Sequence, residues 1–370
     1  MPVRILFVID HLAHGGAELL VKNIVENIDD EEFKVLVCAL RTNPNAISIK
    51  GGVISLKYHR SDPRSIFGVA RLCKERSIDI LHAHLSKSII TCLLASYICK
   101  RPVIIHEHGG IFRKGLSFSI YRFMLRLFNY RAAKIIANSK ATAQRLVEVA
   151  GVDADKVEVI YNAIEFDSFE TSQAIRIRSR EKLGISQKDV VIGFVGRLHP
   201  LKGADILIEA FSLLLRQSAD YFLVLAGGGP QRKSLETLVA QVGIGGRVKF
   251  LGMSDNVAEV MAAFDIGVVP SRQESFGVVA AELMRMKVPV ICSGEEGLAE
   301  LVTDGVTGLV TRQNMPDEIC RCVQRLADDA ELRQRLAEAA YEFSSRFGLK
   351  EYLNKLQDVY IKTLDRERAR

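Results

Sequence analysis

The 370-residue chain has no apolar run of the roughly 18–20 residues needed to cross a bilayer, so it carries no candidate membrane span. It lacks a convincing leader. Val3 to Ile9 is apolar, but the run is short, ends at Asp10 and is followed by no small-residue cleavage site. It has no paired CxxC array. Its seven cysteines (38, 73, 92, 99, 292, 320, 322) are scattered and odd in number, which argues against a disulfide framework or a zinc site and for reduced thiols in a cytosol. There is no GxGxxG fingerprint and no Gly-Lys-Ser/Thr phosphate loop, which disfavours a Rossmann dehydrogenase and a P-loop enzyme. No nucleic-acid-binding module is present.

Acidic residues are also scarce locally. Between Arg101 and Arg145 stand nine basic residues and one acid, Glu107, although the whole chain carries only +6. Within this stretch, residues 113–134 interleave arginines with Leu116, Phe118, Ile120, Tyr121, Phe123, Met124, Leu127 and Phe128. A basic, aromatic, amphipathic segment suits an anionic membrane surface or a lipid-linked acceptor; the plainer alternative is a packed helix with a solvated basic face.

What is present in quantity is alternation. Val- and Ile-rich runs of strand length alternate with amphipathic runs of helix length. The strand-like runs of the first half are 4–9, 33–39, 53–56, 78–82, 103–106, 134–137 and 157–161. The pattern restarts with 189–195, 221–226, 248–251, 266–269, 288–292 and 307–310. Continuous apolar strands separated by helices mean parallel sheets covered on both faces. The expectation is α/β: two tandem Rossmann-like, doubly wound domains facing a central cleft. The boundaries are 1–165, 166–348 and a C-terminal helix, 349–370, returning to the first domain. The linker lies near 163–172, and the basic stretch after it opens the second domain.

Three segments carry recognisable chemistry. Pro270-Ser-Arg-Gln-Glu-Ser-Phe-Gly-Val-Val-Ala-Ala-Glu282 runs from a strand end through a loop into a helix. The amides of Phe276, Gly277 and Val278 fall at the helix start, where unpaired N–H groups and the dipole favour an anion. Glu274 and Glu282 supply carboxylates, good acceptors for sugar hydroxyls, with Ser275 beside them. The second segment, Gly193 to Gly203, delivers Gly196, Arg197 and Lys202 to a strand-to-helix turn, where two cations can straddle a diphosphate. The third, His11 to Glu18, places Gly15 and Gly16 in a tight turn after the first strand. A further feature is four histidines, 82, 84, 106 and 108, on two strand ends. They invite a metal reading, but no acidic ligand with metal spacing accompanies them, and core packing is the expectation for the first three.

The Glu274–Glu282 string resembles the Glu-x7-Glu motif of the family 4 glycosyltransferases, retaining enzymes of the two-Rossmann GT-B fold. Gly196-Arg197-Leu198 with Lys202-Gly203 is similar to that family's diphosphate-binding pattern, and Gly15-Gly16 to its donor-phosphate loop. The resemblance implies that Glu274 contacts the transferred sugar and that Glu282 holds the ribose. It places His108 at the active-site histidine position and Arg197 and Lys202 on the diphosphate. Leu225 to Pro230 and Phe250 to Gly252 resemble turns lining the nucleotide pocket. Asn162-Ala163 and Glu295-Glu296 depart from the family's glycines, which leaves sugar and acceptor choice open. The implied activity is transfer from a UDP- or GDP-sugar to a glycan or lipid-linked acceptor in polysaccharide or lipopolysaccharide assembly. It needs no metal or cofactor, and the implied place is the cytoplasm, at the inner face of its membrane. The alternatives are an epimerase of the same fold and a non-catalytic nucleotide- or glycan-binding subunit.

Overall fold

A computed structural model describes every residue except Met1, His14, Pro44, Asn45, Arg60, Ser61, Glu170, Thr171, Asp255 and Arg370. His14 of the glycine turn and Glu170-Thr171 of the expected linker therefore lie outside the described residues. The chain forms two compact units, residues 1–163 with 349–370, and residues 164–348.

The first unit holds a parallel sheet of β1 (Val3–Ile9), β2 (Phe33–Ala39), β3 (Val53–Ser55), β4 (Ile80–His84), β5 (Val103–Glu107), β6 (Ala132–Ala137) and β7 (Val157–Val159), in the order 3-2-1-4-5-6-7. Alternation along β1 assigns its faces. Leu6 and Val8 join a core with the helices Arg64–Glu75, Ser86–Cys99 and Leu116–Phe128. Ile5, Phe7 and Ile9 join another with the helices Gly16–Asn27 and Leu349–Arg368. The latter helix contributes Tyr352, Leu353, Leu356, Val359 and Tyr360, an apolar stripe at helical spacing. With both faces covered, β4 and β5 are buried throughout, their histidines and Glu107 included.

The second unit holds β8 (Val190–Val195), β9 (Tyr221–Ala226), β10 (Val248–Gly252), β11 (Ile266–Val269), β12 (Val290–Ser293) and β13 (Leu309–Thr311), all parallel, in the order 10-9-8-11-12-13. Strand order reverses between β8 and β11. The loops leaving the carboxyl ends of these two strands therefore diverge and open a crevice, the usual ligand position in such sheets.

Some expected boundaries move for local reasons. The fourth strand is displaced two residues, because Ile78 and Asp79 form the turn before it: the Ile78 amide donates to the Cys73 carbonyl at 2.9 Å, and Asp79 accepts from the Arg4 amide at 2.9 Å. Thr307 lies before the last strand because its hydroxyl accepts from the Thr303 amide at 2.9 Å and closes a turn. The largely helical end of the chain, from Pro316, is divided at Asp329, which caps the helix Ala330–Ser344 by accepting from the Leu332 amide at 2.8 Å, and again before Leu349.

The basic stretch after the linker is the helix Gln173–Leu183, and its charge has a structural purpose. Arg180 is fully buried and donates to the carbonyls of Ala263, Gln187 and Asp189 and, at 2.5 Å, to Asp265. Asp265 also accepts from Arg176 at 2.5 Å and from the Val191 amide at 2.7 Å, so one carboxylate ties this helix to the start of β8. Removing Arg180 takes one of two cations from Asp265 and strips the carbonyls of Ala263, Gln187 and Asp189 of their guanidinium donor. Arg180→Met is expected to lower unfolding free energy by about 3–5 kcal/mol in urea titrations. A loss under about 1 kcal/mol would show that the pair is dispensable.

Candidate functional site

The crevice of the second unit is built by close backbone approach. After β8 the chain passes Gly196, the exposed Arg197 and the buried Leu198 into a single turn, Pro200–Lys202. Gly203 follows with φ +70°, and a Cβ there would lie 2.0 Å from the Pro270 carbonyl oxygen. The loops leaving β8 and β11 thus touch backbone to backbone. Gly227 and Gly229 serve the same packing from β9, since a Cβ on either would stand 1.9 Å and 2.4 Å from the carbonyl oxygens of Gly196 and Leu198. That structural duty accounts for these two glycines of the 227–229 run without any ligand.

This approach brings two of the sequence-derived candidates together. The Lys202 ammonium forms an ion pair with the Glu274 carboxylate, and the Ser271 hydroxyl lies 3.4 Å from the same carboxylate oxygen. The Glu274 carbonyl accepts from the Gly297 amide at 3.0 Å, which fixes the loop from its far side. The Arg197 side chain is exposed and has no hydrogen-bond or ion-pair partner among the described residues, so its guanidinium is available, while its carbonyl accepts from the His199 amide at 2.8 Å. Phe276 points into the core, edge-on to Phe347 at 5.3 Å, so a ligand can meet only its backbone. Ser275 is half-buried in the same loop.

Gly277, with φ +99°, caps the helix Val278–Arg285. Glu282 is the fifth residue of that helix, little more than one turn in. It keeps some exposure, yet burial among apolar neighbours pushes its carboxyl up to about 8. In the ligand-free protein it is thus largely protonated at pH 7 and can donate as well as accept toward a diol.

In the first unit Gly15 is extended and caps the helix Gly16–Asn27. The Glu18 carboxylate folds back over it: a Cβ on Gly15 would meet a Glu18 carboxylate oxygen at 2.5 Å. Glu18 also lies 3.5 Å from His11 Nδ1. His108 follows β5 and contacts His84 Nδ1 through Nε2 at 3.1 Å. Burial pushes it down to about 3. His82, His84 and His106 are completely buried, with one ring nitrogen of each within 4.8 Å of the others. Burial holds all three well below the usual histidine range, so they are neutral. The rings of His82 and His84 pack against Phe7, His106 stacks on His82 at 5.6 Å, and His82 Nδ1 is 2.8 Å from the Tyr360 hydroxyl.

Two residues with structural weight escaped the sequence reading. Glu107 is buried and organises the turn after β5, accepting from the Gly109 amide at 2.8 Å and from the Tyr121 hydroxyl. Arg272 forms a bidentate pair with Asp205 at 2.9 and 2.7 Å. Nothing in sequence order links Arg272 to Asp205, 67 positions away.

The model for glycosyl transferases group 1 matches residues 175–343, and that for glycosyltransferase family 4 matches 14–168. An uncharacterized glycosyltransferase of Methanocaldococcus jannaschii is 32% identical over 299 residues, covering 77% of this chain and 71% of that protein. The D-inositol 3-phosphate glycosyltransferase of Thermomonospora curvata is 30% identical over 63% of this chain, and the match spans 58% of its own length. Anabaena HepE, solved with UDP-glucose, superposes with a TM-score of 0.84 at 25% identity, over 97% of this chain and 99% of that one.

The Glu282 environment makes a pH prediction. Its folded pKa is raised, so the native state keeps a proton that the unfolded chain releases above about 4.5, and stability falls as pH rises from there toward 8. Glu282→Gln removes that slope. The variant is expected to gain about 1–2 kcal/mol on the native protein between pH 5 and pH 8, a figure reduced for partial solvation. Urea titrations with an unchanged difference at the two pH values would rule this out.

Two matching family models, a relative of this similarity and two sheets of this topology establish that the chain belongs to the family 4 glycosyltransferases, with the GT-B fold.

Proposed function

We propose that this glycosyltransferase moves a hexose from a UDP- or GDP-sugar to a glycan or lipid-linked acceptor, with retention of anomeric configuration and without a metal. The observation that carries the donor reading is the Lys202–Glu274 pair at the strand-order reversal, with the unpartnered Arg197 on the same loop as Lys202. A diphosphate and its sugar need a cation and a hydroxyl acceptor side by side, and this pair offers both. The UDP-glucose complex of HepE supports a nucleotide-sugar donor.

In this reading Arg197 and Lys202, with the helix-start amides, meet the charge that grows on the leaving phosphate. Such preorganised groups are usually the largest catalytic contribution. Glu274 orients the sugar, Glu282 holds the ribose and His108 flanks the sugar. The bond from the anomeric carbon to the phosphate oxygen breaks as the bond to the acceptor oxygen forms on the same face. The acceptor proton passes to the departing phosphate. Lys202→Ala is expected to slow turnover by about two to three orders of magnitude. Near-normal turnover, or an inverted anomer in the product by NMR, would overturn the corresponding part of the assignment.

The acceptor reading rests on the helix Leu116–Phe128. Leu116, Ile120, Phe123 and Leu127 are 78%, 53%, 65% and 52% exposed and lie at helical spacing, while Tyr121 and Leu125 on the opposite face are buried. Lys114, Arg122 and Arg126 stand near the exposed stripe. An apolar stripe with basic neighbours fits the interface of an anionic bilayer, where a lipid-linked acceptor would be met. The protein is expected to float with phosphatidylglycerol vesicles and to lose at least tenfold in partitioning when Phe123 and Leu127 are both changed to Glu, each removing roughly 1.5–3 kcal/mol of burial. No flotation of the native protein would end the membrane assignment.

A further inference from the structure

Arg272 sits two residues before Glu274, where a third cation for the donor phosphates would be the simplest assumption. Its hydrogen bonds say otherwise. Nε donates to Asn314 Oδ1 at 2.6 Å. Nη1 donates to the Pro200 carbonyl at 2.6 Å and to Asp205 Oδ1 at 2.9 Å, and Nη2 donates to Asp205 Oδ2 at 2.7 Å. Four of the five guanidinium protons are thus committed to the protein. The backbone joins in: the Arg272 amide donates to the Leu201 carbonyl at 2.8 Å, and its carbonyl accepts from Gln313 Nε2 at 2.6 Å.

These partners come from the loop after β8, the first turn of the helix Ala204–Leu215 and the loop after β13. Two of them, Pro200 and Leu201, immediately precede Lys202. Arg272 itself is on the loop that carries Glu274. We propose that Arg272 is a positioning residue, a fork that holds the Lys202 turn against the Glu274 loop so that the ammonium and the carboxylate address one donor, with Asp205 and Asn314 as its anchors. The role rests on the donor-site reading above, but it makes a separate claim: phosphate recognition depends on a side chain that does not touch phosphate.

The planar fork matters more than the charge. Lysine offers one point donor and cannot span Asp205, Asn314 and Pro200 together. The test uses the full chain with UDP and GDP, keeping the tighter binder, and its parent nucleoside as the phosphate-free probe, by calorimetry. In Arg272→Lys the diphosphate is expected to bind about tenfold or more weakly, the equivalent of one charge-assisted hydrogen bond, while nucleoside affinity stays within about twofold. Asp205→Asn, which keeps the volume and loses the fork partner, should show the same split. In a Lys202→Ala background, adding Arg272→Lys should change diphosphate affinity by less than about twofold, because the group being positioned is gone. Unchanged diphosphate binding, an equal loss for nucleoside and diphosphate, or full additivity with Lys202→Ala would each overturn the role. A native protein that binds neither UDP nor GDP would instead sink the donor-site reading, and this role with it.

Discussion

Gly203 has no side chain because there is no room for one. The carbonyl of Pro270 occupies the place where a Cβ would go, and the backbone there takes a left-handed conformation that side-chain-bearing residues resist. This contact between the loops after β8 and β11 is the constraint on which the rest of the candidate site depends. It lets a lysine at the end of one loop reach a glutamate in the middle of the other. A sheet whose strand order reverses leaves a gap between its diverging loops. Here the gap is narrowed on one side by backbone contact, and polar side chains gather at that side.

The first unit shows a different economy. Four histidines cluster at the ends of β4 and β5, and burial keeps them neutral. A neutral imidazole packs as an aromatic ring while retaining one donor and one acceptor. His84 is then both a core residue, against Phe7, and the direct neighbour of His108. His82 links the cluster to Tyr360 of the C-terminal helix. The orientation of His108 is thus backed by the packing of the whole β4–β5 end rather than by a flexible loop. In the role proposed for His108 beside the transferred sugar, such support matters, because small misplacements are costly in catalysis.

The architecture was legible in the sequence because continuous Val and Ile runs are what strands buried on both faces require. β2, β9 and β11 begin and end where their apolar runs do. Ends were misjudged where a residue's apolarity serves the core from a turn, as at Ile78, or where a polar residue closes a turn, as at Thr307. The Lys202–Glu274 partnership was anticipated only as two groups on one ligand. The ion pair depends on a glycine contact whose partner, Pro270, lies 67 positions further along the chain. Arg272 and Glu107 were invisible for a related reason. Their roles consist of hydrogen bonds to backbone carbonyls, amides and single distant side chains, and no local pattern announces such bonds. The exposed stripe on Leu116–Phe128 shows the reverse case. Composition marked the segment as amphipathic, but only packing shows which apolar side chains are left in solvent.

The two glutamates of the Glu-x7-Glu string share a spacing but not a chemistry. Glu274 meets an ammonium and a serine hydroxyl through one oxygen, Oε2, which is already directed at donors. Glu282 stands between buried Ala281 and Leu283, and its proton is retained into the alkaline range. A ligand that inserts its sugar hydroxyls and phosphates here must take Lys202 partly from Glu274, exchanging one charge-assisted contact for another. On the proposed donor reading, Glu282 would offer it a group able to give a hydrogen bond to one hydroxyl and accept one from its neighbour. That combination suits a vicinal diol better than a bare carboxylate in the same apolar setting, which would first have to bear the cost of burying an uncompensated charge. The asymmetry follows from the fold: one residue lies on a loop at the strand-order reversal, the other on a helix packed against β11 and β12.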